Sequence, residues 1–237
     1  MPHGDGPGAL RCLVWVETPD ASAADQLAGA ELARWQAFRE PADRDRFATG
    51  TVLVRRALRV ATGDDGAVPR RWCEDCGGRD HGPITAAGRH AGRIGISLSH
   101  SAERVVVAVA LGAAHVGVDV EPVRSRLTGL TRMVCTEREA AADLAAASPD
   151  VALATRWVRK EALLKAARTG LRVPMRHLDV ADHQEPAALH HWDRRTRPAG
   201  ALDGVQCADL GPSVLGREYV GALAVLTPRP LEWSLGS

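Results

Sequence analysis

Three β-rich runs follow one another between residues 94 and 121, and this block narrows the possible folds more than any other part of the chain. They are "IGISLSH", "RVVVAVAL" and "HVGVDVE", and short turns separate them. Such runs predict an antiparallel meander, and the apolar middle run predicts a central strand that is buried.

Helical patterns precede this block. Residues 31–60 have the apolar spacing of two helices with a break at "EPAD". Residues 62–95 are rich in Gly, Pro, Arg and Asp, which predicts a long irregular connection with at most one short strand.

Two further helices are predicted after the block. In "TEREAAADLAAA", Thr136 and Glu139 have the spacing of a capping box, which marks a helix start. The segment "PDVALATRWVRKEALLKAAR" is predicted to be the second helix, with Gly170 at its C-cap. The remaining strand-like runs are short and lie at residues 177–180, 205–209 and 219–226. The final "TPRPLEWSLGS" is predicted to be a tail, and the whole pattern predicts the α+β class.

Composition and charge are those of an ordinary globular chain. The 237 residues are enough to bury a sizeable core, with 45% hydrophobic and 25% charged residues. A net charge of +1 gives no overall field that would attract nucleic acid or a membrane surface. The first residues lack the pattern of a signal peptide and the longest apolar run is too short to span a bilayer, so a cytoplasmic location is expected.

The chain has five cysteines, an odd number that argues against a disulfide framework. Only Cys73 and Cys76 are close in sequence, in "WCEDCGGRDHG". With His81 they could form half of a zinc site, but no second pair of ligands is present. They are therefore expected to be reduced thiols in a Gly-rich turn.

Two acidic side chains share one face at the end of the third β-rich run. In "VGVDVEPV", Asp119 and Glu121 alternate with valines, and successive side chains of a strand point to opposite faces. Neighbouring carboxylates repel each other unless a cation lies between them. The motif alone favours a cation site and a solvated strand end equally.

The chain has only two lysines, and both lie in one predicted helix. Trp157, Glu161 and Lys165 are spaced i, i+4, i+8 and share one stripe, with Lys160 at its edge. A surface salt bridge would explain the spacing but not the residue type, because arginine is used at the other 28 of the 30 basic positions. The compact charge of lysine suits a single phosphate oxygen, which indicates a site for chemistry.

Three carboxylates from two elements, Asp119, Glu121 and Glu161, stand beside this lysine. Mg²⁺ prefers oxygen ligands and is commonly held by one or two carboxylates together with substrate phosphates. In "SLSHS", Ser99 and His100 add a hydroxyl and an imidazole that can donate to phosphate oxygens. The common nucleotide-binding loops are absent from the sequence. The set predicts a magnesium site for a polyphosphate or pyrophosphate.

In this order and at these separations, "SLSHS", "GVDVE" and "WVRKEALLKAARTGL" resemble the motifs of the Sfp-type 4′-phosphopantetheinyl transferases. The upstream "RFATGTVLVRRALRVATG" is similar to that family's arginine-bearing helix, so the resemblance covers residues 35–180. It implies two similar α+β halves related by a pseudo-twofold axis, with the active site in the cleft between them. The halves would be residues 1–115 and 116–227, followed by a tail at residues 228–237.

The resemblance implies a role for each acidic and lysine residue of the site. Asp119, Glu121 and Glu161 would bind Mg²⁺. As a hypothesis on the mechanism, Glu161 would take the proton of the attacking hydroxyl, directly or through a metal-bound water. Lys165 would contact the pyrophosphate of coenzyme A. Lys160 would line the same site.

It also implies how coenzyme A is held. Ser99 and His100 would bind its phosphate oxygens together with Lys165, and Arg55 would pair with its 3′-phosphate. One departure is that the family's basic residue before a proline is missing, because "HGPIT" has Gly82 directly before the proline. The backbone, Arg79 or Arg89 could make that contact.

The implied activity is that of a holo-[acyl-carrier-protein] synthase. It transfers 4′-phosphopantetheine from coenzyme A to a serine of an apo acyl or peptidyl carrier protein and releases adenosine 3′,5′-bisphosphate. Such carriers serve polyketide, nonribosomal peptide or fatty-acid synthesis. Residues 129–139 and the chain before Lys160 are the candidate surfaces for docking them. A monomer is expected.

Two alternative functions stay open. One is a Mg²⁺-dependent phosphohydrolase that acts on a small pyrophosphate, and the other is a non-catalytic scaffold that binds coenzyme A or carrier proteins.

Overall fold

The computed structural model describes residues 8–73, 76–79, 81–123, 129–198 and 204–237. Residues 1–7, 74, 75 and 80 of the predicted N-terminal half therefore lie outside the described residues, as do residues 124–128 and 199–203 of the predicted C-terminal half.

The strands in these ranges are β1 (Leu10–Glu17), β2 (Pro69–Arg71), β3 (Ile84–Ala86), β4 (Ile94–Ser101), β5 (Arg104–Leu111), β6 (Val116–Pro122), β7 (Leu178–Val180), β8 (Leu189–Trp192), β9 (Val205–Leu210), β10 (Tyr219–Leu226) and β11 (Leu231–Leu235). The α-helices are α1 (Gly29–Ala37), α2 (Pro41–Thr62), α3 (Thr131–Val134), α4 (Glu137–Ala145), α5 (Pro149–Ala166) and α6 (Pro212–Leu215). Short 3-10 helices lie at Ala21–Gln26, Gly88–His90, Gly170–Arg172 and Met175–His177. None of the described helices combines the length and the apolar composition needed to span a bilayer.

Strands and helices build two stacked sheets between two long helices. One sheet has the order β11-β1-β5-β4-β3-β2 and the other has the order β6-β10-β9, while β7 and β8 form a separate hairpin. Helix α2 covers the outer face of the six-stranded sheet, and α5 covers the outer face of the three-stranded sheet. The α+β class predicted from the sequence is confirmed, while the pseudo-twofold similarity of two halves stays a prediction.

The central strand β5 is apolar throughout because both of its faces are buried. Val105, Val107 and Val109 pack against α2, whereas the alternate residues Val106 and Ala108 pack between the two sheets. All of these side chains are fully buried. A strand buried on both faces needs a continuous apolar run rather than an alternating one.

The third strand of the predicted meander lies elsewhere. Strands β4 and β5 pair as an antiparallel hairpin, as expected, but β6 forms its ladder with β10 in the second sheet. Strand β6 still runs beside β4, where the Ser97 hydroxyl accepts a hydrogen bond from the backbone nitrogen of Val118 at 3.0 Å. Serine side chains of β4 thus replace a backbone ladder at this junction.

Gly117 in β6 allows that strand to lie directly on α5. A Cβ atom at this position would come within 1.9 Å of the Ala162 carbonyl oxygen and 2.6 Å of the Ala166 nitrogen. Val116, Val118 and Val120 face the first sheet, so the alternate residues of β6 face the helix. The glycine therefore sets how close the acidic side chains of β6 come to α5.

Several local predictions are corrected. Residues 228–237 are not a tail, because β11 pairs in parallel with β1. Strand β1 itself was not predicted from the sequence. The connection at residues 62–95 contains two short paired strands, β2 and β3. Both predicted helices of residues 31–60 are present, and Pro41 opens α2 where its missing N–H costs nothing.

Replacing Gly117 with alanine is expected to lower the free energy of unfolding by about 1–3 kcal/mol or more, because the added methyl group meets backbone atoms that are unable to rotate away. Urea unfolding measures the change. The matched control is Gly211→Ala, where an added Cβ has no atom within 4 Å. Wild-type stability in the Gly117 variant would contradict the close contact.

Candidate active site

Alternate side chains of β4 hold the two acids of β6 in place. The Ser99 hydroxyl donates to Asp119 Oδ1 at 2.8 Å, and the Ser101 hydroxyl donates to Glu121 Oε2 at 2.6 Å. The two serines are two residues apart, as are the two acids, so each pair lies on one face of its strand. Both carboxylates are thereby fixed at the edge shared by the two sheets.

Helix α5 brings the lysine to this edge. The Lys165 ammonium donates to Asp119 Oδ1 at 2.7 Å, to the Ser99 hydroxyl at 3.2 Å and to the Val118 carbonyl at 3.1 Å. Lys165 is 26% exposed, whereas Asp119 is only 5% exposed. The buried carboxylate of Asp119 is thus paired with a lysine that is itself partly exposed to solvent.

These residues line a single cavity of about 680 Å³, which is within the usual size range of small-molecule sites. Trp157, Glu161 and Lys165 all contribute to its wall, so the stripe predicted from their spacing is confirmed. The other predicted site residues on the wall are Ser99, His100, Asp119 and Glu121. Seven residues from three elements therefore meet as the sequence predicted.

Burial raises the pKa of Glu121 and of Glu161, and the charge of Asp119 adds to the rise for both. Lys165 acts in the opposite direction on both groups, as does the Ser101 hydrogen bond on Glu121. Three carboxylates therefore face a single ammonium at this point of the cavity wall. Such a site favours a bound cation.

Two carboxylate oxygens support this conclusion. Asp119 Oδ2 and Glu161 Oε2 are buried and have no hydrogen-bond partner. A buried polar atom without a partner is costly, and a divalent cation is a partner that carboxylate oxygens readily accept. The three acids do not form a group whose ligand atoms all lie within 4.8 Å of one another. All three acids are therefore too far apart to contact one ion directly, so a Mg²⁺ ion here would contact one or two of the carboxylates and keep several waters.

His100 stands at the rim of the cavity, where it is exposed. Partial desolvation lowers the pKa of its imidazole, and the charges of Arg46 and Lys165 lower it further. Both effects favour the neutral ring. It can donate one hydrogen bond and accept another.

Lys160, which was predicted to line this site, lies away from it. Its side chain is fully buried, and its ammonium donates to Glu139 Oε2 at 2.5 Å and to the Val134 carbonyl at 2.7 Å. Glu139 also pairs with Arg156 at 3.1 Å and closes the predicted capping box at Thr136. Lys160 thus joins α5 to α3 and α4 within the core.

Arg55 is also displaced from its predicted place. It pairs with Glu31 at 2.8 Å and donates to the Gln26 carbonyl at 2.9 Å. Three other arginines line the cavity instead, namely Arg71, Arg168 and Arg172. Nothing in their sequence spacing distinguishes them from the many other arginines of the chain.

Arg168 has a backbone conformation that is unusual for its residue type. Helix α5 ends in a Schellman motif, in which Thr169 N donates to the Leu164 carbonyl at 3.1 Å and Arg168 N donates to the Lys165 carbonyl at 3.0 Å. The left-handed position of this motif is occupied by Arg168, with φ of 58°, and not by Gly170 as predicted. A side chain in this region is strained by about 1–2 kcal/mol, and such strain is often found at functional sites.

We expect Lys160→Met to lower the free energy of unfolding by about 3–5 kcal/mol, because it leaves Glu139 buried without its nearest cation. Denaturant unfolding tests this. Arg195→Met is the control, because Arg195 forms its ion pair with Asp193 on the surface. A Lys160 variant of wild-type stability that had lost activity would instead put this lysine back into the active site.

Comparison with known proteins identifies the part of the chain that carries the site. The family model of the 4′-phosphopantetheinyl transferase superfamily matches residues 115–220. The match includes both acids of β6 and the whole of α5. No curated protein matches the chain. The segment from residue 115 to residue 220 is thus similar to the 4′-phosphopantetheinyl transferase superfamily.

Proposed function

We propose that this protein transfers the 4′-phosphopantetheine group of coenzyme A to a serine of an apo acyl or peptidyl carrier protein, with Mg²⁺ as cofactor. The superfamily domain supports phosphopantetheine transfer in general. One observation carries the finer proposal: Asp119 Oδ2 and Glu161 Oε2 are buried without partners on the wall of a cavity that also contains Lys165. This arrangement suits a divalent cation together with a diphosphate.

The charges of the cavity support coenzyme A as the substrate. Lys165, Arg71, Arg168 and Arg172 all line it, and coenzyme A carries a pyrophosphate and a 3′-phosphate. Guanidinium groups bind phosphate with paired hydrogen bonds. We assign the 3′-phosphate to these arginines in place of Arg55, whose guanidinium is held by Glu31.

Asp119, Glu121 and Glu161 are the residues that would hold Mg²⁺, one or two of them directly and the rest through water. When bound, Mg²⁺ neutralises charge on the phosphate oxygens, which is a main requirement of phosphoryl transfer. Ser99 and Ser101 keep Asp119 and Glu121 oriented through their hydroxyl hydrogen bonds.

Glu161 accepts the proton of the attacking serine in this proposal. Its carboxylate lies on the cavity wall beside Lys165, where a general base must be within hydrogen-bond reach of the hydroxyl, directly or through one water. The serine oxygen forms a bond to the phosphorus attached to pantetheine, and the bond from that phosphorus to the bridging oxygen breaks. Adenosine 3′,5′-bisphosphate leaves, and the ammonium of Lys165 donates a hydrogen bond to the phosphate oxygens.

The carrier protein is proposed to dock near residues 129–139. Arg132 and Met133 of α3 are exposed there, Met133 to 64%. Carrier proteins of this kind are acidic, as the family resemblance implies, so a basic and an apolar side chain together suit such a partner. We further propose that the protein is a monomer and is cytoplasmic.

Intact-mass analysis of an apo-carrier protein after incubation with this protein, coenzyme A and Mg²⁺ tests the proposal. The carrier is expected to gain the mass of phosphopantetheine, and Glu161→Gln is expected to reduce the rate by about 10²-fold to 10⁴-fold because the base is removed. Glu232→Gln, on the exposed side of β11, is the matched control.

The same assay separates the alternatives. Release of adenosine 3′,5′-bisphosphate without any carrier would indicate a phosphohydrolase, and binding without turnover would indicate a scaffold. No mass gain with several carriers would contradict the transferase.

Arg168→Gly gives a second test with two opposite readouts. Glycine removes the left-handed strain, so the free energy of unfolding is expected to stay the same or to rise by up to about 1 kcal/mol. The lost guanidinium is expected to raise KM for coenzyme A. The control is Ala102→Gly, which relieves a similar φ of 48° without removing a charge. Unchanged KM in the Arg168 variant would remove this arginine from the substrate site.

A further inference from the structure

A second group of metal-binding side chains lies apart from the carboxylates. One ligand atom each from Cys73, Cys76 and His81 lie within 4.8 Å of one another. Cys76 Sγ and His81 Nε2 are 3.2 Å apart. Two thiolates and an imidazole are soft ligands that favour Zn²⁺ over Mg²⁺.

The turn that carries the cysteines is closed by its own backbone. Cys73 N donates to the Gly78 carbonyl at 2.9 Å, and Gly77 N donates to the Cys73 carbonyl at 2.8 Å. Gly78 N donates to Cys76 Sγ at 3.3 Å. An N–H group directed at a sulfur stabilises the thiolate, which is the form that binds metals.

Two glycines make this geometry possible. Gly77 has a φ of 72°, a left-handed conformation that allows the chain to turn directly after Cys76. Gly82 has a φ of 88°, and a Cβ there would lie 2.5 Å from the Trp72 carbonyl oxygen and 2.9 Å from Cys73 Cα. The backbone after His81 therefore packs on the backbone before Cys73, which brings the imidazole back to the thiols.

We propose that Cys73, Cys76 and His81 bind a zinc ion. Zinc prefers four ligands in a tetrahedral arrangement, and three protein ligands leave the fourth position to water. Cys76 and His81 are exposed, so water can reach the site. Reduced thiols were expected from the sequence because a second pair of ligands was missing, but the fold brings the histidine to the thiols without one.

The zinc would also stabilise part of the cavity wall. Cys73, His81 and Gly82 line the cavity described above, and Arg71 donates to the Gly82 carbonyl at 3.0 Å. Binding of zinc would hold this loop in one conformation. The zinc site itself does not depend on the reaction that the cavity supports.

Metal analysis of the full-length protein tests the proposal. The protein is reduced, exposed to Zn²⁺ with excess Mg²⁺ present, and freed of unbound ions, and its zinc content is then measured by mass spectrometry. Magnesium occupies carboxylate sites but does not compete for thiolates. We expect one zinc ion per chain, and we expect it to be lost in Cys73→Ser, Cys76→Ser and His81→Gln. The controls Cys207→Ser and His191→Gln are expected to keep it.

Cobalt gives a measurement that does not require any variant to fold. Replacing zinc with Co²⁺ in the wild-type protein is expected to produce absorption from charge transfer between thiolate and metal. Any one of four results would overturn the proposal. These are a protein that binds no zinc, zinc that is retained in the three ligand variants, cobalt binding without this absorption, and a disulfide between Cys73 and Cys76 that resists reduction. Carrier modification plays no part in these measurements, so their failure is separate from failure of the transferase.

Discussion

The contact between β6 and α5 at Gly117 determines whether the candidate site exists. Asp119 and Glu121 lie on the strand, Glu161 and Lys165 lie on the helix, and a side chain at residue 117 would force the two elements apart. The serines of β4 then orient the strand acids from the other side. A glycine, two serines and one helical stripe thereby bring charged groups together that would otherwise repel or remain in water.

A second set of charges supports α5 from its buried side. Glu139, Asp143, Arg156 and Lys160 are almost fully buried and paired with one another. Removing one member of such a network strongly destabilises the protein, because a charge is then left buried without a partner. The intact network adds little net stability, and its main effect is to fix the position of the helix. The two lysines of the chain therefore have different roles: Lys165 faces the cavity, and Lys160 anchors the helix that carries it.

The parts of the site that follow from local spacing could be predicted from the sequence. The i, i+4, i+8 spacing of α5 and the alternation in β6 placed their acidic side chains correctly, because both periods are properties of the backbone. Lys160 was misplaced because its partner, Glu139, comes from another helix. The strand β11 was missed because it is short and pairs only with β1, more than 200 residues earlier. Arg168 was missed because Gly170 is the residue type that usually ends a helix.

The central claim is that the unpartnered oxygens of Asp119 and Glu161 exist to bind a divalent cation beside a diphosphate. The anomalous scattering of Mn²⁺ in crystals grown with coenzyme A tests it most directly, because Mn²⁺ takes the same oxygen ligands as Mg²⁺. We predict a peak in contact with both carboxylates and with the pyrophosphate of coenzyme A. A peak elsewhere, or coenzyme A bound without any ion at these oxygens, would contradict the account.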